Sequence, residues 1–239
     1  MARSDRATIG EVLRSLLFYA VFYCGSVFVV LACVFTQLFN SRENFRRTVD
    51  SWSLFHRWCL RHILHITIQV VGELPPGSVF VAMKHESFFE AIDLPQLLPF
   101  PGVFAKAELM RIPLWGLAGD RYGLVTVDRE QGARALRHMM TAAKKISGEG
   151  RPLAIFPEGS RTAHGTQPDL KSGFAGIYKL LGLPVVPIAV DAGPLYHRRW
   201  KRAGVITYRI EPPVPPGLPR PEAEARVHAA INVLNAAPS

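Results

Sequence analysis

The strongest constraint on this chain is a stretch without charge. No Asp, Glu, Lys or Arg occurs between Arg14 and Arg42. The apolar run inside it, LLFYAVFYCGSVFVVLACVFTQLF from Leu16 to Phe39, exceeds the roughly 20 residues that a helix needs to cross a hydrocarbon layer. A secretory signal has a shorter apolar core and a small-residue cleavage site. This run ends in Thr-Gln-Leu-Phe, so it reads as a retained membrane anchor. A core helix is the weaker reading, because so long a run rarely fits inside a small domain. Arg3, Arg6 and Arg14 precede the run, and Arg42, Arg46, Arg47, Arg57 and Arg61 follow it. That balance leans toward a cytoplasmic body, at the inner membrane in a bacterium. A helix that re-enters, or one that lies in the interface, is the alternative. The following stretch SWSLFHRWCLRHILHI sets Trp52, Phe55, Cys59 and Ile63 at helical spacing among arginines and histidines. This composition suits an interfacial helix and, equally, an amphipathic helix packed on a domain.

From Thr67 onward the texture changes. TIQVVG, SVFVAM, GVFAKA, GLVTVD, PLAIFP, VVPIAV and VITYRIE read as strands. Helices are predicted over Ser87 to Leu98, Gln131 to Ile146, Gly173 to Leu181 and Pro221 to Asn235. Strands alternating with helices imply an α/β sheet with helices on its faces. The chain therefore divides into membrane-anchoring helices over 1–66 and an α/β domain over 67–239. An apolar fraction of 49% with 20% charge marks a folded protein. A net charge of +9 predicts an anionic partner: nucleic acid, an acidic membrane or a phosphorylated substrate. Cys24, Cys33 and Cys59 form neither a disulfide framework nor a C-x-x-C metal motif.

Two motifs carry chemistry. In KHESFFEAID, His85 and Glu90 stand five residues apart. On one regular helix they would point about 140° apart, so they meet only if His85 precedes the helix and Glu90 lies on its first turn. Ser87 is a suitable N-cap between them. An imidazole titrates near neutrality and can take a hydroxyl proton, and a carboxylate on its other nitrogen would fix the tautomer. Ser87 to Glu90 is also an S-x-x-E capping box, which assigns Glu90 to the helix terminus alone. The second motif is IFPEGSRT. Gly159 permits close backbone approach, Ser160 and Thr162 offer hydroxyls, and Arg161 offers a fork for an oxyanion beside Glu158. Lys106 ends one strand and Arg129 follows another, where α/β folds gather their sites. Neither a P-loop, a nucleophile elbow nor an H-E-x-x-H zinc motif is present in these stretches.

Together these stretches resemble the glycerophospholipid acyltransferase family, in particular its bacterial 1-acylglycerol-3-phosphate acyltransferases. The resemblance runs from about Val79 to Asp191 in four ordered blocks: His85 with Glu90, FAKAEL with Lys106, FPEGSR from Phe156 to Arg161, and VVPIAV with Pro187. The family's usual residues in the first block are asparagine before the histidine and aspartate as the acid. Here Lys84 and Glu90 stand in those places. The resemblance implies a mixed sheet flanked by helices. It also implies a reaction in which His85, oriented by Glu90, deprotonates the sn-2 hydroxyl of lysophosphatidic acid for attack on an acyl-CoA or acyl carrier protein thioester. Lys106, Glu158, Gly159, Ser160, Arg161 and Arg129 would then hold the glycerol phosphate, and no metal or bound cofactor is implied. Other acceptors of the same fold class, such as a lyso-aminolipid or glycerol-3-phosphate, stay open, as does a non-catalytic lipid-binding protein. The basic, aromatic segment YHRRWKRAG reads as a membrane-surface or donor-docking element. Nucleic acid is disfavoured by the anchor and by the lack of a recognised motif.

Overall fold

A computed structural model of the chain describes residues 6–39, 42–111, 115–127 and 132–235. Helix α1 (Ile9–Phe39) begins earlier than the apolar run alone suggests. Its start is a reciprocal cap: Glu11 Oε2 accepts from Thr8 N at 2.8 Å, and Thr8 Oγ1 accepts from Glu11 N at 3.2 Å. Helix α2 (Arg42–Cys59) packs against it and passes into a π-helical turn, Leu60–Leu64. Phe18 and Phe22 bury one face of α1 against the rings of His56, Trp52 and Phe55. Gly25 sits where any Cβ would collide with the Phe55 ring, so the two helices approach closely there. The remaining faces of α1 carry exposed Leu13, Leu17, Val27, Phe28, Leu31 and Phe35. The segment Ile9–Thr36 is long and apolar enough to span a membrane, and only 11% of its most apolar window is buried in the protein. A core helix would be mostly covered, so this surface fits membrane association.

The rest of the described chain runs β1 (Ile66–Val71), β2 (Phe80–Met83), α3 (Phe88–Leu97), β3 (Gly102–Lys106), α4 (Ala107–Met110), α5 (Trp115–Tyr122), β4 (Leu124–Val127), α6 (Gly132–Gly148), β5 (Leu153–Ile155), α7 (Gly173–Leu181), β6 (Val185–Val190), α8 (Gly193–Tyr196), β7 (Gly204–Ile210) and α9 (Arg220–Ile231). The strands form one sheet in the order β1-β7-β6-β2-β5-β3-β4. All neighbours are parallel except β6 and β7, so the sheet is mixed. Strand β2 is central and alternates between two cores. Val81 and Met83 face the cluster that contains Phe18, Leu60 and Phe89, whereas Phe80 and Ala82 face the cluster of Phe104, Phe174 and Ile177.

Each expected strand is present with its ends within two residues of those expected; β6 matches throughout, and β1 and β7 begin one residue earlier. Ser87 caps α3 instead of joining it, and α9 starts at Arg220 and ends at Ile231. Helices α4, α5 and α8 escape a periodicity reading because each is short. Pro187 is tolerated in a central strand for a local reason. Its carbonyl accepts from Glu211 N at 2.9 Å on the β7 side, where ladder pairing gives way to Pro212 and Pro213. The N–H that proline lacks therefore falls at the last rung of the β6–β7 pairing, where only one bond of the pair is made.

His56 of α2 is wholly buried, with Nε2 2.9 Å from the Tyr196 hydroxyl and Nδ1 without a hydrogen-bond partner. Burial, with help from the charges of Lys201 and Arg57, pushes its pKa from 6.5 down to about 3. Below pH 6.5 the unfolded chain therefore takes up the proton before the folded one does. Stability from this site is complete above pH 6.5 and is lost toward pH 3, by about 1.4 kcal/mol per pH unit. His56→Gln is expected to flatten the acid limb of a melting-temperature-versus-pH curve recorded in detergent. A limb of unchanged slope would show that His56 does not carry it.

Candidate active site

Strand β2 delivers Lys84 and His85 to the carboxyl-terminal edge of the sheet. Lys84 keeps its backbone in the ladder, donating to Ile188 O at 3.0 Å, while its ammonium turns into the protein and is fully buried. There it donates to Glu158 Oε1 at 2.6 Å, Thr166 O at 2.8 Å and Asn232 Oδ1 at 2.8 Å, which uses all three protons. The other Glu158 oxygen accepts from His85 N at 3.3 Å and from Thr162 Oγ1 at 3.2 Å. Thr162 N in turn donates to His85 O at 2.8 Å. Both backbone groups of His85 are thus held by the loop that follows β5.

The His85 ring is fixed from two directions. Nδ1 lies 3.1 Å from Glu90 Oε2, and the ring stacks on Phe156 with centroids 4.0 Å apart. Glu90 is fully buried and has further donors: Ser87 N at 2.8 Å to Oε2 and Ser87 Oγ at 3.0 Å to Oε1. Ser87 Oγ also accepts from Phe89 N at 3.1 Å, and Ser87 and Glu90 form a reciprocal capping box. The two readings of Glu90 are therefore one arrangement, in which the carboxylate that closes the helix terminus also meets the imidazole. Because the carboxylate only accepts, Nδ1 carries the proton, and Nε2 remains as the basic nitrogen. The His85 side chain is 15% exposed, enough to meet a substrate from one side.

Asp93, one turn on from Glu90, is engaged elsewhere. The Arg57 guanidinium grips it bidentately, Nε to Oδ1 at 2.6 Å and Nη2 to Oδ2 at 2.8 Å, tying α2 to α3. Ser53 Oγ adds a bond to Ile92 O at 2.6 Å. The aromatic, basic helix after the apolar run thus packs on the domain along one face, while Leu54 and Trp58 stay exposed on another.

The remaining candidate residues divide by exposure. Gly159 adopts a left-handed backbone, φ 73°, which turns the loop after Phe156 and Glu158. Ser160 and Arg161 are exposed, with the Arg161 guanidinium 3.9 Å from the Phe88 ring centroid. Lys106 is exposed at the end of β3. Since β3, β5 and β2 are adjacent and parallel, Lys106, the Phe156–Arg161 loop and His85 emerge on one sheet edge. Glu158 turns inward to Lys84 instead. Arg129 lies outside the described residues.

Two charged residues of the site have roles that the motif reading passed over. Lys84 continues a fully buried strand, and a buried ammonium requires partners, which was the available signal. Glu86 is also fully buried; its carboxylate accepts from His164 Nδ1 at 2.8 Å and Gly193 N at 2.6 Å. Burial raises its pKa, and these two donors partly offset the rise. His164 and Gly193 are distant in sequence, so this contact had no local signature.

A family model described as Acyltransferase matches residues 65–191. The 1-acyl-sn-glycerol-3-phosphate acyltransferase of Pseudomonas aeruginosa is 28% identical over 201 residues, covering 83% of this chain and 77% of that protein. The human 1-acyl-sn-glycerol-3-phosphate acyltransferase alpha is 26% identical over 163 residues, 65% of this chain and 58% of its own length. The crystal structure of the 1-acyl-sn-glycerophosphate acyltransferase PlsC from Thermotoga maritima shares the fold at a TM-score of 0.73 and 22% identity, over 96% of this chain and 99% of that one. The matched span takes in the His85–Glu90 pair, Lys106, the FPEGSR loop and strand β6; the chain belongs to the acyltransferase family.

Proposed function

We propose that the protein transfers a fatty acyl group from a thioester donor, acyl-CoA or acyl carrier protein, to the sn-2 hydroxyl of lysophosphatidic acid, giving phosphatidic acid for phospholipid synthesis. The observation that carries this reading is the His85 Nδ1–Glu90 contact of 3.1 Å, which leaves Nε2 as a base beside an exposed arginine loop. Nε2 takes the hydroxyl proton as the acceptor oxygen attacks the thioester carbonyl. The buried Glu90 carboxylate stabilises the imidazolium that forms. The tetrahedral intermediate collapses by breaking its C–S bond, and the proton on Nε2 passes to the departing thiolate. Ester and thiol are the products, with neither an acyl-enzyme nor a resident metal or cofactor in the sequence of steps.

Arg161, Lys106, Ser160 and the Gly159 backbone are assigned to the glycerol phosphate, with Arg129 joining them. Glu158 serves the same site indirectly, by holding the His85 backbone through its bond to N at 3.3 Å. The uncovered face of α1 lies in the bilayer in this reading, with the body on the cytoplasmic side, so a lipid acceptor reaches the site without crossing water. The names of the relatives in Pseudomonas aeruginosa and man support the acceptor. Purified protein in mixed micelles with a labelled acyl donor is expected to convert lysophosphatidic acid at least about tenfold faster than a lyso-aminolipid, which leaves the phosphate-binding groups unpaired, and faster than glycerol-3-phosphate, which lacks the acyl chain. Faster turnover of another lysolipid would reassign the acceptor. Lipid binding without any transfer would identify a non-catalytic lipid-binding protein.

A further inference from the structure

On the β6 side of His85, away from Lys106, lies a cavity of about 490 Å³, bordered also by Ala163 and His164 of the loop that carries Arg161. Its walls include His164, Gly193, His197, Arg198, Arg199 and Trp200. The volume falls within the roughly 300–1,000 Å³ of small-ligand clefts. The cavity is tied to the catalytic loop, because Glu86, the residue after His85, bonds both His164 Nδ1 at 2.8 Å and Gly193 N at 2.6 Å.

The segment that supplies the arginines has a fixed backbone. Tyr19 Oη donates to Arg199 O at 2.6 Å, Lys201 N donates to Ser15 Oγ at 2.8 Å, and Lys201 Nζ donates to Tyr196 O at 2.7 Å. Its chemistry is specific. Two guanidinium groups suit phosphate, and the Trp200 indole, with Arg199 4.9 Å from its ring centroid, offers a flat surface for a heteroaromatic base. A two-substrate transfer needs its acceptor and donor to reach His85 from different directions. The acceptor's phosphate is assigned to Arg161 and Lys106 in the reading above.

We propose that this cavity binds the nucleotide end of coenzyme A as acyl donor, with its phosphates on Arg198 and Arg199 and its base against Trp200. The proposal rests on the acyltransferase reading but not on the identity of the acceptor. An anionic lipid headgroup shares the phosphate chemistry, and the test separates the two.

The test is calorimetric titration of the full chain in detergent with free coenzyme A, and with pantetheine, which lacks the nucleotide. Arg199→Gln and Trp200→Ala are each expected to weaken coenzyme A binding by about tenfold or more, the effect of losing one charged or stacking partner. Pantetheine binding is expected to stay unchanged, and His85→Ala is expected to bind coenzyme A as the wild type does. In steady state the KM for acyl-CoA rises in both variants while that for lysophosphatidic acid stays put. Absence of coenzyme A binding by the wild type, or unchanged affinity in both folded variants, overturns the proposal. So does a loss confined to binding of phosphatidylglycerol vesicles, which would make the cavity a lipid-headgroup site. A wild type that binds coenzyme A through Arg199 and Trp200 but does not acylate lysophosphatidic acid sinks only the acceptor assignment.

Discussion

His85→Ala is expected to lower kcat for acyl transfer by about 10²–10⁴-fold, the contribution of a positioned general base. The fall should appear in kcat and kcat/KM together. KM for the lysolipid should change little, because the phosphate is assigned to Arg161 and Lys106 and not to the imidazole. The cost to stability should be small. The ring is partly exposed, and its bonds are to Glu90 and the face of Phe156, while the backbone contacts to Glu158 and Thr162 survive the substitution. A variant that keeps more than about a tenth of the wild-type rate would remove His85 from the role of base.

The second large effect concerns folding. Lys84→Met is expected to destabilise the protein by about 3–5 kcal/mol, the cost of leaving one member of a buried ion pair without its partner. Both side chains are completely buried, so solvent offers the abandoned Glu158 carboxylate no relief. The damage reaches the site, since Glu158 holds the His85 backbone and Lys84 joins it to Thr166 and Asn232 beyond α9. Adding Glu158→Gln to Lys84→Met removes the unpaired charge while keeping an amide able to meet its neighbours, and should restore most of the loss. Thermal and denaturant melts of the two variants check this. A single variant that melts like the wild type would show that Glu158 does not depend on Lys84.

The lysine also shows where the sequence stops being legible. The order of strands and helices is readable from β-branched runs and turn residues, and the VFVAM run announces a central strand by being apolar on both faces. The His85–Glu90 meeting is readable because loop, cap and first turn are all local. The partners of Lys84 and Glu86 come from Glu158, Asn232, His164 and Gly193, which only the sheet order brings together. Asp93, a further acid in the same KHESFFEAID stretch, is taken by Arg57 from a helix before the sheet, which no local pattern announces. The start of α1 lies outside the apolar run for a different reason. Hydropathy marks where an apolar run lies, whereas the Thr8–Glu11 cap marks where the helix begins. Sheet edges and motif loops predict which residues gather, but buried polar pairing between distant segments needs the tertiary path.

The most direct test of the dyad is phosphatidic acid formation by wild type, His85→Ala, Glu90→Gln and Glu90→Ala, each with its melting temperature recorded. The account predicts product from the wild type and loss of most of the rate in all three folded variants, because an imidazole without its carboxylate loses both its tautomer and the stabilisation of its charged form. Wild-type turnover by folded Glu90→Gln and Glu90→Ala would contradict it, leaving Glu90 as a helix cap alone.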